Sequence, residues 1–149
     1  MTREEKDLLL EDLYLRLHYG VRGFYKTSGI EITNQKLTYD IIGNLDYKND
    51  VEFKPYLFPL SSMSEEQRKE FLEISHLENR SFYNGEKEIE IVSNEVWAFD
   101  LGGDADTEYR SIDIKRIRET VKWLNKNHFD WRGLIPMGLA EDATNKNIY

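Results

Sequence analysis

The sequence predicts an α+β fold, and three observations support that prediction. Capping motifs at residues 2–5 and 64–67 each precede apolar residues at helical spacing. Between them, residues 21–60 form short segments rich in β-branched and aromatic residues, separated by turn residues. The 149 residues contain no internal repeat and no low-complexity linker, so residues 1–149 are predicted to form a single domain.

The first predicted helix covers about residues 3–17. Thr2 and Glu5 have the spacing of a capping box, in which each side chain accepts a hydrogen bond from the other residue's backbone N–H. Gly20 is expected to end the helix, because glycine readily adopts the left-handed conformation found beyond helix C-termini. The leucines between them repeat at helical spacing and are expected to face the core: Leu9, Leu10, Leu13 and Leu17.

The β-rich region, residues 21–60, is predicted to form a small antiparallel sheet or a partial barrel of the SH3 or Sm type. This prediction depends on four short strands separated by turn residues such as Gly43 and Asn44. The predicted strands are Val21–Tyr25, Ile30–Asn34, Leu37–Ile42 and Val51–Phe58.

The second half of the chain is predicted to contain a middle helix at about 65–76, a hairpin at about 87–101 and a long amphipathic helix at about 112–127. A tail, residues 128–149, completes the chain. After Pro136 this tail has too few apolar residues to be expected in the core, and its end, Thr144–Tyr149, is expected to be loose.

Composition excludes several classes of protein. The chain has no cysteine, which rules out disulfides, thiol nucleophiles and cysteine-based metal sites, and this fits a reducing cytoplasm. No apolar run approaches the roughly 20 residues that span a bilayer, so no membrane partner is expected. A net charge of −8 disfavours direct binding to nucleic acid, since such binding depends on basic residues at phosphates.

The candidate binding residues cluster just after the last predicted helix. His128, Asp130 and Arg132 stand beside Trp131, and together they could bind an anion or a nucleobase, through a guanidinium fork and an aromatic stacking face. The alternative is structural, with Trp131 and its neighbour Phe129 in the core and the charged residues holding the turn. Two further candidates are a lysine of the same helix and an aromatic residue of the β-rich region: Lys126 and Tyr56.

No motif predicts a metal, a cofactor or a catalytic residue. The acidic residues at 104–108 resemble the start of a calcium loop but lack its turn glycine and its distal glutamate. The three histidines, His18, His76 and His128, are widely separated and do not form a zinc motif.

Three segments, at the start, middle and end of the chain, carry a family resemblance. They are Lys54–Glu66, Trp123–Ala140, and Thr2–Leu10 with Tyr19–Val21. Together they resemble a family of short uncharacterised proteins encoded by phages and mobile elements of gut anaerobic bacteria. The chain departs from the family at His18, where the family often has proline, and at residues 26–50, which do not match it. The resemblance implies an accessory gene and supplies no reaction, cofactor or catalytic residue.

These observations favour a non-enzymatic accessory protein that acts by binding. The expected partner is a host protein, such as a defence protein that is sequestered or inhibited, or a small anionic, nucleotide-like ligand. One alternative is a small hydrolase or nucleotide-processing enzyme that uses His128, Asp130 and Arg132. Another is a virion or assembly component, which would form a homo-oligomer with a large apolar interface.

Overall fold

The structure is a computed structural model that describes residues 1–75 and 114–149, with only the backbone described at 114–117. The chain divides into two compact units, which we call unit 1 (residues 1–58 and 132–149) and unit 2 (residues 59–131). The predicted hairpin at 87–101 lies outside the described residues, and the single domain stays a prediction. Among the described helices, none is long and apolar enough to cross a membrane.

The described residues contain helices and strands, as an α+β fold requires. The helices are α1 (Arg3–Arg16), α2 (Tyr39–Tyr47), α3 (Glu65–Ser75) and α4 (Ile114–Lys126). The strands are β1 (Arg22–Thr27), β2 (Ile30–Lys36), β3 (Glu52–Pro59), β4 (Phe129–Asp130) and β5 (Glu141–Asp142).

Helix α1 begins and ends as its sequence predicts. The Thr2 N–H donates to Glu5 Oε2 at 2.7 Å and the Glu5 N–H donates to Thr2 Oγ1 at 3.1 Å, which completes the capping box. After Arg16 the chain continues as one short helical turn, Leu17–Tyr19, and then reaches Gly20 with a φ of +69°. Leu9 and Leu13 are buried.

The strand predicted at Leu37–Ile42 is wrong, because most of that segment belongs to helix α2. The Thr38 side chain caps the helix by accepting a hydrogen bond from the Ile41 N–H at 3.3 Å. Ile41, Ile42 and Leu45 are all buried, and their spacing places them on one face of a helix. Taken alone, the β-branched residues Ile41 and Ile42 favour a strand. Together with Leu45, one turn later, they have the spacing of a helix.

The sheet of unit 1 is mixed and open. Strand β1 pairs antiparallel with both β2 and β3, and β5 pairs parallel with β3. The strands within residues 21–60 therefore pair antiparallel, as predicted, and the sheet is mixed because the tail adds the parallel strand β5. The partial barrel is not confirmed, since the sheet does not close: β2 lies at its edge in the order β2-β1-β3.

The tail after Pro136 belongs to the core of unit 1, contrary to the sequence prediction. Leu139, Ala140 and Ala143 are buried although the segment contains few apolar residues. Backbone hydrogen bonds place them: the Ala143 N–H donates to the Leu57 carbonyl at 2.7 Å, and the Leu139 N–H donates to the Leu134 carbonyl at 2.9 Å. The segment is held by strand pairing, which apolar content alone does not reveal.

The last residue, Tyr149, is also anchored, so the expectation of a loose end is wrong there. Its hydroxyl accepts a hydrogen bond from the Arg22 N–H at 2.9 Å and donates to the Tyr56 carbonyl at 2.8 Å. One phenol thus joins β1 to β3, and its ring contacts Phe58 with centroids 5.9 Å apart. Burial of the hydroxyl raises the pKa of Tyr149 to about 12.

Unit 2 has a small aromatic core between α3 and α4. Helix α3 begins with the predicted capping box, in which Ser64 and Gln67 exchange hydrogen bonds of 3.0 and 3.1 Å. Phe71 contacts Trp123 at 5.7 Å between ring centroids, and Trp123 stacks on Phe129 at 5.6 Å. Helix α4 lies within the predicted span of 112–127, and residues 112–113 lie outside the described residues.

We expect Tyr149→Phe to lower the free energy of unfolding by about 1–2 kcal/mol, because two backbone groups lose their partner. Since the pKa of Tyr149 is raised from 10.0 to about 12, the stabilisation is complete below pH 10 and is lost as the pH rises towards 12. Urea unfolding of both proteins should therefore show a gap that shrinks between pH 10 and pH 12. Tyr47→Phe, at a residue that is 87% exposed, serves as the control and should show no gap.

Gly43→Ala should raise the free energy of unfolding by about 0.5–1 kcal/mol, because alanine is the better residue in a helix. A Cβ at Gly43 would meet no atom within 4 Å apart from its chain neighbours and the backbone of its own helix. Gly29→Ala is the matched comparison and should destabilise the protein, since Gly29 has a φ of +78°. Destabilisation by Gly43→Ala in the same urea measurement would contradict the helix and favour the turn that the sequence suggested.

Candidate functional site

The predicted site residues fall in both units, and each unit is described by itself. Unit 2 contains the candidates that lie within residues 59–131, and unit 1 contains the others. The members in unit 2 are Lys126, His128, Asp130 and Trp131, and those in unit 1 are Tyr56 and Arg132.

The turn after α4 is held by its own hydrogen bonds. The His128 N–H donates to the Asn125 carbonyl at 3.1 Å, and His128 itself has a φ of +62°. The Trp131 indole N–H donates to Asn125 Oδ1 at 2.8 Å. Sequence reasoning missed Asn125, which is 2% exposed although it is polar and lies in the last turn of the helix. This geometry supports the structural interpretation of the turn.

The remaining unit 2 candidates differ in exposure. Asp130 is 1% exposed, so its carboxylate is not presented at the surface. Lys126 is exposed in the last turn of α4, where a positive charge complements the helix dipole.

Tyr56 is buried in β3 rather than lining an open groove. It is 4% exposed, its carbonyl accepts the Tyr149 hydroxyl, and the Lys146 Nζ lies 5.4 Å from the centre of its ring. The contact with Lys146 is a cation–π geometry that helps to hold the C-terminal segment on β3.

Arg132 is paired with two carboxylates of α1. Its Nη1 lies 3.2 Å from Glu11 Oε2, and its Nε lies 3.7 Å from Asp12 Oδ1. Asp12 in turn accepts a hydrogen bond from Arg16 Nε at 2.6 Å, and both of those side chains are fully buried. We call these four residues the α1 charge cluster.

The α1 charge cluster contains two carboxylates and two guanidiniums, so its formal charges cancel. Asp12 and Arg16 lie four residues apart on the helix face that also buries Leu9 and Leu13. Sequence reasoning missed the pair because only the leucines were assigned to that face. The guanidinium of Arg132, a candidate anion-binding group, contacts protein carboxylates.

Strand β2 is the most open element of unit 1. Its register places Ile32 opposite Tyr25 and Ile30 opposite Thr27. Because opposed residues of paired strands point to the same side, both isoleucines lie on the face that carries the buried Tyr25. They are nevertheless 38% and 60% exposed, so the described core does not extend over this end of the sheet.

Among the described residues, no group of three or more histidine, aspartate or glutamate side chains is placed to hold a metal ion. Of the three histidines, His18 is exposed after α1, and His76 lies outside the described residues.

Comparison of the chain with protein-family models, with curated proteins and with solved structures found no match.

We expect Asp12→Ala to lower the free energy of unfolding by about 3–5 kcal/mol, because it leaves the buried charge of Arg16 without its closest carboxylate. Glu11→Ala is the matched control. The Glu11 side chain is 70% exposed, so its removal should lower the free energy of unfolding by less than about 1 kcal/mol.

Chemical denaturation of both variants checks this prediction. The double variant Asp12→Leu/Arg16→Met should recover part of the stability, since it removes both buried charges together. If Asp12→Ala were as stable as Glu11→Ala, the structural importance of the α1 charge cluster would be contradicted.

Proposed function

We propose that this chain is an accessory protein of a phage or mobile element that acts by binding a host protein. Its binding surface is the open edge of β2, which accepts an extended segment of the partner as an additional strand. The observation that carries the proposal is the exposure of Ile30 and Ile32 on a strand that ends the sheet of unit 1.

The edge of a sheet offers backbone groups that a partner strand can pair with. Among the residues that the structure describes, β2 pairs with β1 on one side only, so the backbone groups on its other side are available to a partner strand. Strand addition uses those groups for affinity and the alternating side chains for specificity. Ile30 and Ile32, two residues apart on one face, supply the apolar contacts.

The polar interactions of unit 1 favour a protein partner over a small anionic ligand. The guanidinium of Arg132, which was the expected anion-binding group, contacts Glu11 and Asp12. A chain with a net charge of −8 also repels a free nucleotide in solution. An extended peptide needs neither a guanidinium fork nor a positive field to pair with β2.

The location of β2 in the sequence fits a surface that selects its partner. It lies within residues 26–50, the part of the chain that does not match the resembled phage and mobile-element family. Variation at this strand would give different members different host partners. Sequestering a host defence protein would suit the genomic setting that the resemblance implies.

A site-specific cross-linking experiment tests the proposal. A photoreactive amino acid replaces Ile32 or, as the matched control, the exposed Tyr47, and each protein is irradiated in host cells. We expect one host protein to be captured from position 32 and not from position 47. With that protein purified, Ile32→Lys should weaken binding at least about tenfold, because edge lysines oppose strand pairing.

Two outcomes would count against the proposal. Capture of a second copy of this chain at position 32 would make β2 a self-association surface. Equal binding by wild-type protein and Ile32→Lys, with both folded by circular dichroism, would remove the edge from the interface.

A further inference from the structure

The turn between β1 and β2 determines which backbone groups of β2 face its open edge. The turn consists of Ser28 and Gly29, whose φ angles of +47° and +78° are those of a type I′ turn. In a two-residue turn the C=O of Thr27 accepts the N–H of Ile30, so Ile30 directs its backbone groups towards β1. Because these directions alternate along a strand, the N–H and C=O of Glu31 point to the open edge.

The open edge is short, because a register shift ends it. The pairing of β1 with β2 shifts around Asn34, which has a φ of +61°. Arg22 holds this residue: its Nε donates to Asn34 Oδ1 at 2.5 Å, and its Nη2 donates to the Asn34 carbonyl at 2.8 Å. An added strand therefore pairs regularly with residues 30–33.

A row of apolar side chains crosses the core face of the sheet and reaches this edge. The register places Phe53 of β3 opposite Tyr25 of β1, and Tyr25 opposite Ile32 of β2. The Tyr25 and Phe53 rings lie 6.5 Å apart between centroids, and both residues are buried. Since Ile32 is the exposed end of this row, an apolar side chain on an added strand would extend it.

A row of alternating charges crosses the opposite face of the sheet. Glu52 of β3 lies opposite Lys26 of β1, and Lys26 lies opposite Glu31 of β2, with 3.4 Å between Lys26 Nζ and Glu31 Oε1. The Glu31 side chain ends this row and is 58% exposed.

The position of Glu31 determines which charge an added strand should carry. Such a strand would lie about 4.8 Å from β2 and about twice as far from β1, so its side chain on this face meets Glu31 before Lys26. Opposite charges stabilise a cross-strand pair, and like charges directly opposite each other destabilise it. A basic side chain opposite Glu31 therefore continues the alternation, and an acidic one is disfavoured.

We propose that the segment that pairs with β2 is a short antiparallel strand with the pattern apolar–basic–apolar. Its lysine or arginine lies opposite Glu31, and its apolar residues lie opposite Ile30 and Ile32. The antiparallel direction is favoured because antiparallel pairs are more stable per residue than parallel ones. This inference rests on the proposed strand addition at β2 and adds to it the chemistry of the partner.

Peptide display on the full-length protein tests this pattern before a host protein is known. Random linear peptides are selected on the wild type and, in parallel, on Ile32→Lys, whose edge lysine opposes strand pairing. The peptides that the wild type retains and Ile32→Lys loses are those that use the edge. We expect these peptides to be enriched in a lysine or arginine between two apolar residues.

Charge reversal then tests the pair with Glu31. The best retained peptide is synthesised with its basic residue and with glutamate in that place. The glutamate peptide should bind the wild type about fivefold more weakly, as expected when a cross-strand pair changes from opposite to like charges. The preference should reverse for Glu31→Lys, which restores the pair with its signs exchanged. Asp7→Lys, the same charge change at an exposed position of α1, should keep the preference of the wild type.

The possible failures separate this inference from the proposed function. Peptides that depend on Ile32 but show no preference for a basic residue would refute the pattern and leave strand addition in place. Equal binding of the basic and glutamate peptides to the wild type would do the same. If no peptide distinguished the wild type from Ile32→Lys, strand addition at β2 and the partner pattern would both be contradicted.

Discussion

The buried charge of Asp12 is the constraint on which the rest of unit 1 depends. A carboxylate on the apolar face of α1 costs several kcal/mol unless positive partners approach it closely. Arg16 lies one turn later at 2.6 Å, and Arg132 approaches the other carboxylate oxygen at 3.7 Å. Because Arg132 begins the C-terminal segment of unit 1, this requirement brings that segment back to α1.

After the contact between Arg132 and Asp12, the C-terminal segment continues along the core of unit 1. Leu134 is fully buried two residues after Arg132, and β5 then pairs with β3. At the end, the Tyr149 hydroxyl bridges β1 and β3, and the charge of Arg16 also acts on that phenol. Of the predicted site residues, the two in unit 1, Arg132 and Tyr56, thus both contact groups that hold this segment in place.

The correct sequence predictions were those with a local cause. Capping boxes need only four consecutive residues, so the starts of α1 and α3 could be read directly. Two predictions were wrong for another reason: the strand at Leu37–Ile42 and the exclusion of the tail from the core. Ile41 and Ile42 are assigned correctly only with Leu45 one turn later, and the tail only with its pairing to β3, which is distant in sequence. The partners of Arg132 were likewise more than a hundred residues away, so its pairing with α1 could not be predicted.

Strand β2 is poorly protected at its Ile30–Ile32 end. Proteins commonly shield edge strands with proline, with charge or with a covering element. Between Ile30 and Ile32 there is no proline, and the charge of Glu31 is balanced by Lys26 at 3.4 Å, whereas Lys36 and the register irregularity lie towards the other end of the strand. Neither exposed isoleucine belongs to the buried core that the described residues form. An open, apolar edge carries a risk of aggregation, and a strand from a partner protein would remove that risk while the two are bound.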